Sequence, residues 1–131
     1  MFYRKRRKYK YSLVADEAYE TGFKLEGLKN LGLLRLTKTG KLTIKKGYAS
    51  DGPSDPAFDT RNFMRGAFVH DALYQLIREG VLKPEDRKRC DEILREICLE
   101  DGMSKIRAWW VYRGVRMGGA SAAKPDLLTA P

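Results

Sequence analysis

At 131 residues, 15.0 kDa and 43% hydrophobic content, the chain is sized for one domain, able to hide roughly two thirds of its unfolded surface in a core. No apolar run approaches the roughly 20 residues of a membrane span, and no apolar stretch follows the N-terminal charges as a signal peptide would require, so a cytosolic product is expected. The net charge of +9 is uneven: Arg4, Lys5, Arg6, Arg7, Lys8 and Lys10 crowd the first ten residues without an acid, leaving +3 for the rest.

That basic stretch, interleaved with Tyr3, Tyr9 and Tyr11, reads as an arm. It suits nucleic-acid phosphates, anionic lipid headgroups or an acidic groove on a partner protein. Equally, it can be a solvated terminal strand that keeps a small protein soluble.

From Lys10 to about Gly47 the pattern is β. Tyr9, Tyr11 and Leu13 alternate with polar positions, and Leu33 to Leu36 precede a turn at Thr39-Gly40 with Lys41 to Lys45 as hairpin partner. Asp16 to Asn30 reads either as strand or as irregular structure around Gly22 and Gly27. Gly47 to Pro56, with two glycines, two prolines and two aspartates, is expected to be a loop that suits either a cation site or a rigid connector.

The second half is helical. Asp59 or Thr60 can cap a helix with apolar positions Phe63, Ala67, Val69, Leu73, Leu76 and Ile77 that stops at Gly80. Pro84, followed by Glu85 and Asp86, opens a second helix ending near Gly102, with Arg87, Asp91, Leu94 and Cys98 on one face. A third, from about Ser104 to Met117, carries Ile106, Trp109, Trp110 and Val115, the tryptophans being expected at core and rim, and Gly118-Gly119 ends it. The resulting class is α+β, a small N-terminal antiparallel sheet followed by three helices. The expected organisation is an arm over 1–10, one globular domain over 11–119 and a flexible tail over 120–131.

Cys90 and Cys98 lie eight residues apart on one predicted helix, about 12 Å along its axis, too far for a disulfide between them. Reduced thiols are expected. Neither stands at zinc-ligand spacing.

His70 is the only histidine, and it sits beside Asp71 on an otherwise apolar stretch, Phe68 to Tyr74. A buried imidazole or carboxylate without a partner costs several kcal/mol, so the fold must supply one, and Asp51 and Asp91 are on offer. The short Gly80–Pro84 connection predicts antiparallel helices that bring Asp91 alongside His70. Asp91 can then orient the imidazole, leaving its other nitrogen to act as general base on a water, while Asp71, about 100° round the helix, faces a cation at Ser50-Asp51-Gly52. Arg78, Arg87 and Arg89 compete for these acids. A plainer alternative is that His70 and Asp71 only tie the loop to the helices, with Tyr74 closing the gap.

Taken together, Gly47 to Pro56, Ala67 to Tyr74 and Arg87-Lys-Arg-Cys-Asp91 resemble the family known as domain of unknown function 1353, found largely in tailed bacteriophages and prophages. The likeness covers about Tyr11 to Gly119. It implies a phage protein made in the host cytoplasm, with the virion as a destination and virion proteins as partners. The His-Asp-x-x-Tyr helix followed by a helix with an inward aspartate also resembles the core of the phospholipase A2 superfamily. Carried over by position, that likeness implies His70 as general base, Asp91 as its orienting acid, Asp71 as a calcium ligand, and Tyr48, Ser50, Asp51 and Gly52 in a calcium loop. Tyr74 and Arg87 belong to the same motifs. The chain departs from the superfamily at Gly52, which stands alone between Asp51 and Pro53; Pro53 has no amide to offer an oxyanion. The function these likenesses imply is calcium-assisted ester hydrolysis at an anionic lipid surface. The alternative is a structural or accessory virion component whose arm binds a partner protein or nucleic acid.

Overall fold

The computed structural model describes residues 1–5, 11–50 and 61–119. The chain falls into two compact units, Met1–Ser54 and Asp55–Pro131, and it divides within the stretch rich in Gly, Pro and Asp. Antiparallel sheets make up the first and three helices the second, an α+β arrangement.

In the first unit the described strands form two sheets where one was expected. β1 (Tyr3–Lys5), β2 (Tyr11–Leu13) and β7 (Ala49–Ser50) make the first, in the order β1-β2-β7. β3 (Glu17–Glu20), β4 (Lys29–Asn30), β5 (Leu34–Leu36) and β6 (Lys41–Ile44) make the second, in the order β3-β6-β5-β4. The anticipated hairpin is β5–β6, in register Leu34↔Ile44 and Leu36↔Leu42. The two-residue period of a strand puts these four side chains on one face, and all are buried. Gly40 in its turn has φ +100°, and a Cβ there would stand 2.6 Å from the Phe23 carbonyl oxygen, so only glycine fits.

Three expectations change in this unit. The ambiguous segment from Asp16 to Asn30 supplies both β3, paired to β6, and β4, paired to β5. Ala49 and Ser50, expected in a loop, pair as β7 with Ser12 and Tyr11. Part of the basic arm is a sheet edge, since Arg4 lies opposite Ser12 and Lys5 opposite Tyr11 in β1. Arg6, Arg7, Lys8 and Lys10 lie outside the described residues, as do the expected caps Asp59 and Thr60, the loop residues beyond Ser50 and the C-terminal tail.

The second unit comprises α1 (Arg61–Arg78), a single 3₁₀ turn at Pro84–Asp86, α2 (Arg87–Glu100) and α3 (Lys105–Gly118). Both anticipated glycine stops are present. Gly80 (φ +80°) and Gly102 (φ +94°) let the chain turn back on its last carbonyls, with Val81 N on Leu76 O at 2.9 Å and Met103 N on Cys98 O at 2.9 Å. At the start of α3 the Ser104 hydroxyl accepts from Arg107 N at 3.2 Å. The three helices share a core of Phe63, Ala67, Leu94, Cys98, Met103, Ala108 and Val111. α3 contributes to it through its small residues. Trp109 and Trp110, expected at core and rim, are 47% and 64% exposed, and Ile106 is 75% exposed. Among the described residues no helix is long and apolar enough to cross a membrane.

Candidate functional site

α1 and α2 run antiparallel, because Gly66 faces Leu94 and Cys98, His70 faces Asp91, and Tyr74 faces Arg87, in opposite order along the two helices. His70 and Tyr74 are one turn apart on α1 and so emerge on the same side, their ring centres 4.1 Å apart. Both reach the carboxylate of Asp91. His70 Nε2 lies 2.6 Å from Asp91 Oδ1, and the Tyr74 hydroxyl donates to the same oxygen at 2.5 Å. Arg116, from the last turn of α3, donates through Nη1 to Oδ2 at 2.8 Å, and Arg87 Nη1 stands 3.5 Å from Oδ2.

Asp91 has no exposed surface. A carboxylate offers about four lone-pair sites; His70, Tyr74 and Arg116 occupy three of them, and Arg87 adds an ion pair at 3.5 Å. Burial pushes its pKa up, but hydrogen bonds from His70, Tyr74 and Arg116 outweigh burial and hold the carboxyl below its ordinary range. Tyr74 is driven the other way, first by burial and then by its bond to Asp91, so its hydroxyl keeps its proton. An ionised carboxylate can only accept, which places a hydrogen on His70 Nε2. Nδ1 is left as the second nitrogen, and among the described residues it makes no hydrogen bond. His70 itself is 7% exposed.

Arg87 binds this cluster to the end of α3. Its guanidinium lies 3.3 Å from the Val115 carbonyl oxygen, which also accepts from Gly119 N at 2.9 Å, and 3.5 Å from that of Arg116 in the last turn. One acid and two guanidinium groups leave the cluster with a net positive charge even when His70 is neutral.

Of the residues expected from sequence, His70, Asp91, Tyr74 and Arg87 come together. Asp71 is half-buried beside His70. Arg89, expected to compete for Asp91, instead meets Glu96 at 2.8 Å. Arg116 was not anticipated: the sequence shows only an arginine in a final helical turn, and the path of α3 across α2 decides whether it arrives. Tyr48 and Ser50 belong to the other unit, where the Tyr48 carbonyl accepts from Leu13 N at 3.0 Å and Ser50 lies in β7. Asp51 and Gly52 fall outside the described residues. Cys90 and Cys98 are buried in α2, and burial raises both thiols to about 12, which keeps them protonated and poor nucleophiles.

A family model described as "Protein of unknown function (DUF1353)" matches residues 33–115, more than half of the chain. The chain belongs to this family. The DUF1353 segment runs from the start of the β5–β6 hairpin through most of α3, shorter than the Tyr11–Gly119 span expected from the motifs. It contains His70, Tyr74, Arg87 and Asp91, while Arg116 stands one residue past its end. No curated protein and no solved structure matches the chain.

Proposed function

We propose that this DUF1353 member is a phage protein whose helical unit carries a phospholipase A2-like ester hydrolase site. One observation carries the proposal: the 2.6 Å contact fixes His70 Nε2 on a buried carboxylate, and Nδ1 makes no hydrogen bond among the described residues. Nδ1 takes a proton from a water while the water oxygen bonds to the ester carbonyl carbon. Asp91 stabilises the imidazolium that forms, and His70 then returns the proton to the departing alcohol as the tetrahedral intermediate collapses. The two products are a carboxylic acid and an alcohol, so the imidazole ends as it began. Such a protein is made in the host cytoplasm, and a virion that must cross an envelope gains from attack on an anionic lipid surface.

The described residues do not assemble a calcium site. Calcium takes six to eight oxygen ligands. Among the described residues no cluster of three or more His, Cys, Asp or Glu side chains is arranged to hold a metal, and the Tyr48 carbonyl is already engaged in its sheet. Calcium is therefore a variable of the assay, with Asp71 as the residue to mutate.

The test is release of fatty acid from mixed phospholipid vesicles by the whole chain, with calcium and with a chelator, beside the His70→Gln variant. Hydrolysis by the parent chain that disappears in the variant supports the proposal. No release under either condition, or equal release by the variant, defeats it.

A second reading is favoured by the complete burial of Asp91 under three hydrogen bonds and an ion pair, and by the hold of Arg87 on α3. In that reading the cluster is a clamp between helices in an accessory virion component, bound through its basic N-terminus to a partner protein or to DNA. It predicts a folded chain without hydrolysis, and a steep loss of DNA affinity with added salt if nucleic acid is the partner.

A further inference from the structure

α3 has two apolar sides, and the core uses only one of them. At 100° per residue, Ala108, Val111 and Val115 point into the three-helix core. On the opposite side Ile106, Trp110 and Met117 fall within about 40° of one another, with Trp109 at the edge of the stripe. These four side chains are 75%, 64%, 78% and 47% exposed. Arg113 interrupts the stripe, its guanidinium 5.7 Å from the Trp109 ring centre, and Lys105 and Arg107 flank it, while Arg116 turns inward to Asp91. α3 contains no acid. Exposed apolar stripes of this kind are costly in water and mark a surface that something covers.

We propose that the outer face of α3 seats on an anionic lipid surface. The charge pattern selects that occupant. Ile106 and Met117, the most exposed apolar side chains of the helix, offer nothing to a phosphate backbone, but they enter the acyl boundary of a bilayer readily. Indole rings belong at headgroup level, with the ring against methylenes and the N–H among polar groups. Lys105, Arg107 and Arg113, on a helix without an acid, match the negative surface potential of such a leaflet. Binding here requires no catalysis, so it stands apart from the hydrolase proposal.

Trp109 and Trp110 are the only tryptophans, so the selectively excited tryptophan emission of the intact protein reports from this face alone. The whole chain is mixed with vesicles of phosphatidylglycerol and phosphatidylcholine in equal parts, with phosphatidylcholine alone, and with vesicles carrying bromine on their acyl chains. Expected are a blue shift on anionic vesicles and quenching by the brominated lipid. The pair Ile106→Ser and Trp110→Ser should weaken binding about tenfold or more, and Arg113→Gln about fivefold. The catalytically silent His70→Gln chain should bind as the parent does, which separates a failure of hydrolysis from a failure of docking. Quenching in the parent chain decides the matter should a variant not fold. Absence of binding, binding without shift or quenching, an unchanged affinity in the double variant, or a blue shift that depends on protein concentration without lipid each overturns the proposal. The last would assign the face to a second copy of the chain.

Discussion

Asp91 accepts three hydrogen bonds, pairs with Arg87 and shows no surface, so its removal orphans more than itself. Asp91→Ala would leave His70, the Tyr74 hydroxyl and the Arg116 Nη1 without the carboxylate they bond to, and should cost about 3–5 kcal/mol in chemical denaturation. Its pH dependence has a definite sign. The folded carboxyl lies below its ordinary value of 3.8, so folding is supported by the ionised form. That support is fully present above the unfolded value and is lost as pH falls through it toward the folded one. Melting temperatures followed downward from neutral pH should therefore drop through the acid range, and Asp91→Asn should flatten the drop relative to the parent chain. His70→Gln separates chemistry from scaffold, because the glutamine amide can donate to Asp91 as Nε2–H does but cannot shuttle a proton. Stability within about 1 kcal/mol of the parent, with hydrolysis reduced about 10²–10⁴-fold, is the expected pair of results. The meeting of His70 with Asp91 was legible in the sequence, since a short connection between two periodic helices fixes which turns face each other. Arg116 was not, because three helices can pack with the third crossing at several angles.

Among the elements, α1 packs tightly against α2 at Gly66. A Cβ there would stand 2.9 Å from Leu94 Cδ1 and 3.2 Å from Cys98 Sγ, both on buried residues. Gly66→Ala gains helix propensity yet overpacks this contact, and a net loss of about 1–2 kcal/mol should appear in denaturant titrations. The helices and their glycine stops could be read from period and punctuation. The inward face of α3 could not. Its apolar residues lie on two sides, and size argues for the tryptophans as core, whereas Ala108 and Val111 are the ones that allow α3 to approach α2 closely. β3 and β4 were equally opaque. Their side chains are intermediate or exposed, so no alternation of buried apolar positions marks them as strands.

Over the whole molecule, the DUF1353 match spans parts of both compact units, so the sheet residues from Leu33 onward and the helical cluster belong to one family design. The charge of +9 acts on this scale, through the basic N-terminal stretch and through α3. Raising the salt from about 0.1 to about 1 M shortens the screening length from about 10 to about 3 Å. It should weaken association with anionic vesicles while leaving hydrolysis of a soluble short-chain ester unchanged, as sedimentation and a colorimetric ester assay would show. All of the chemistry proposed here depends on the state of one imidazole, and because the chain has a single histidine its ring nitrogens give an uncluttered ¹⁵N spectrum. Where the ring is neutral the spectrum should show its hydrogen on Nε2 and an unprotonated Nδ1, and the Nε2 signal should move in Asp91→Asn. A hydrogen on Nδ1 with a bare Nε2, or a spectrum indifferent to Asp91, would contradict the site as described.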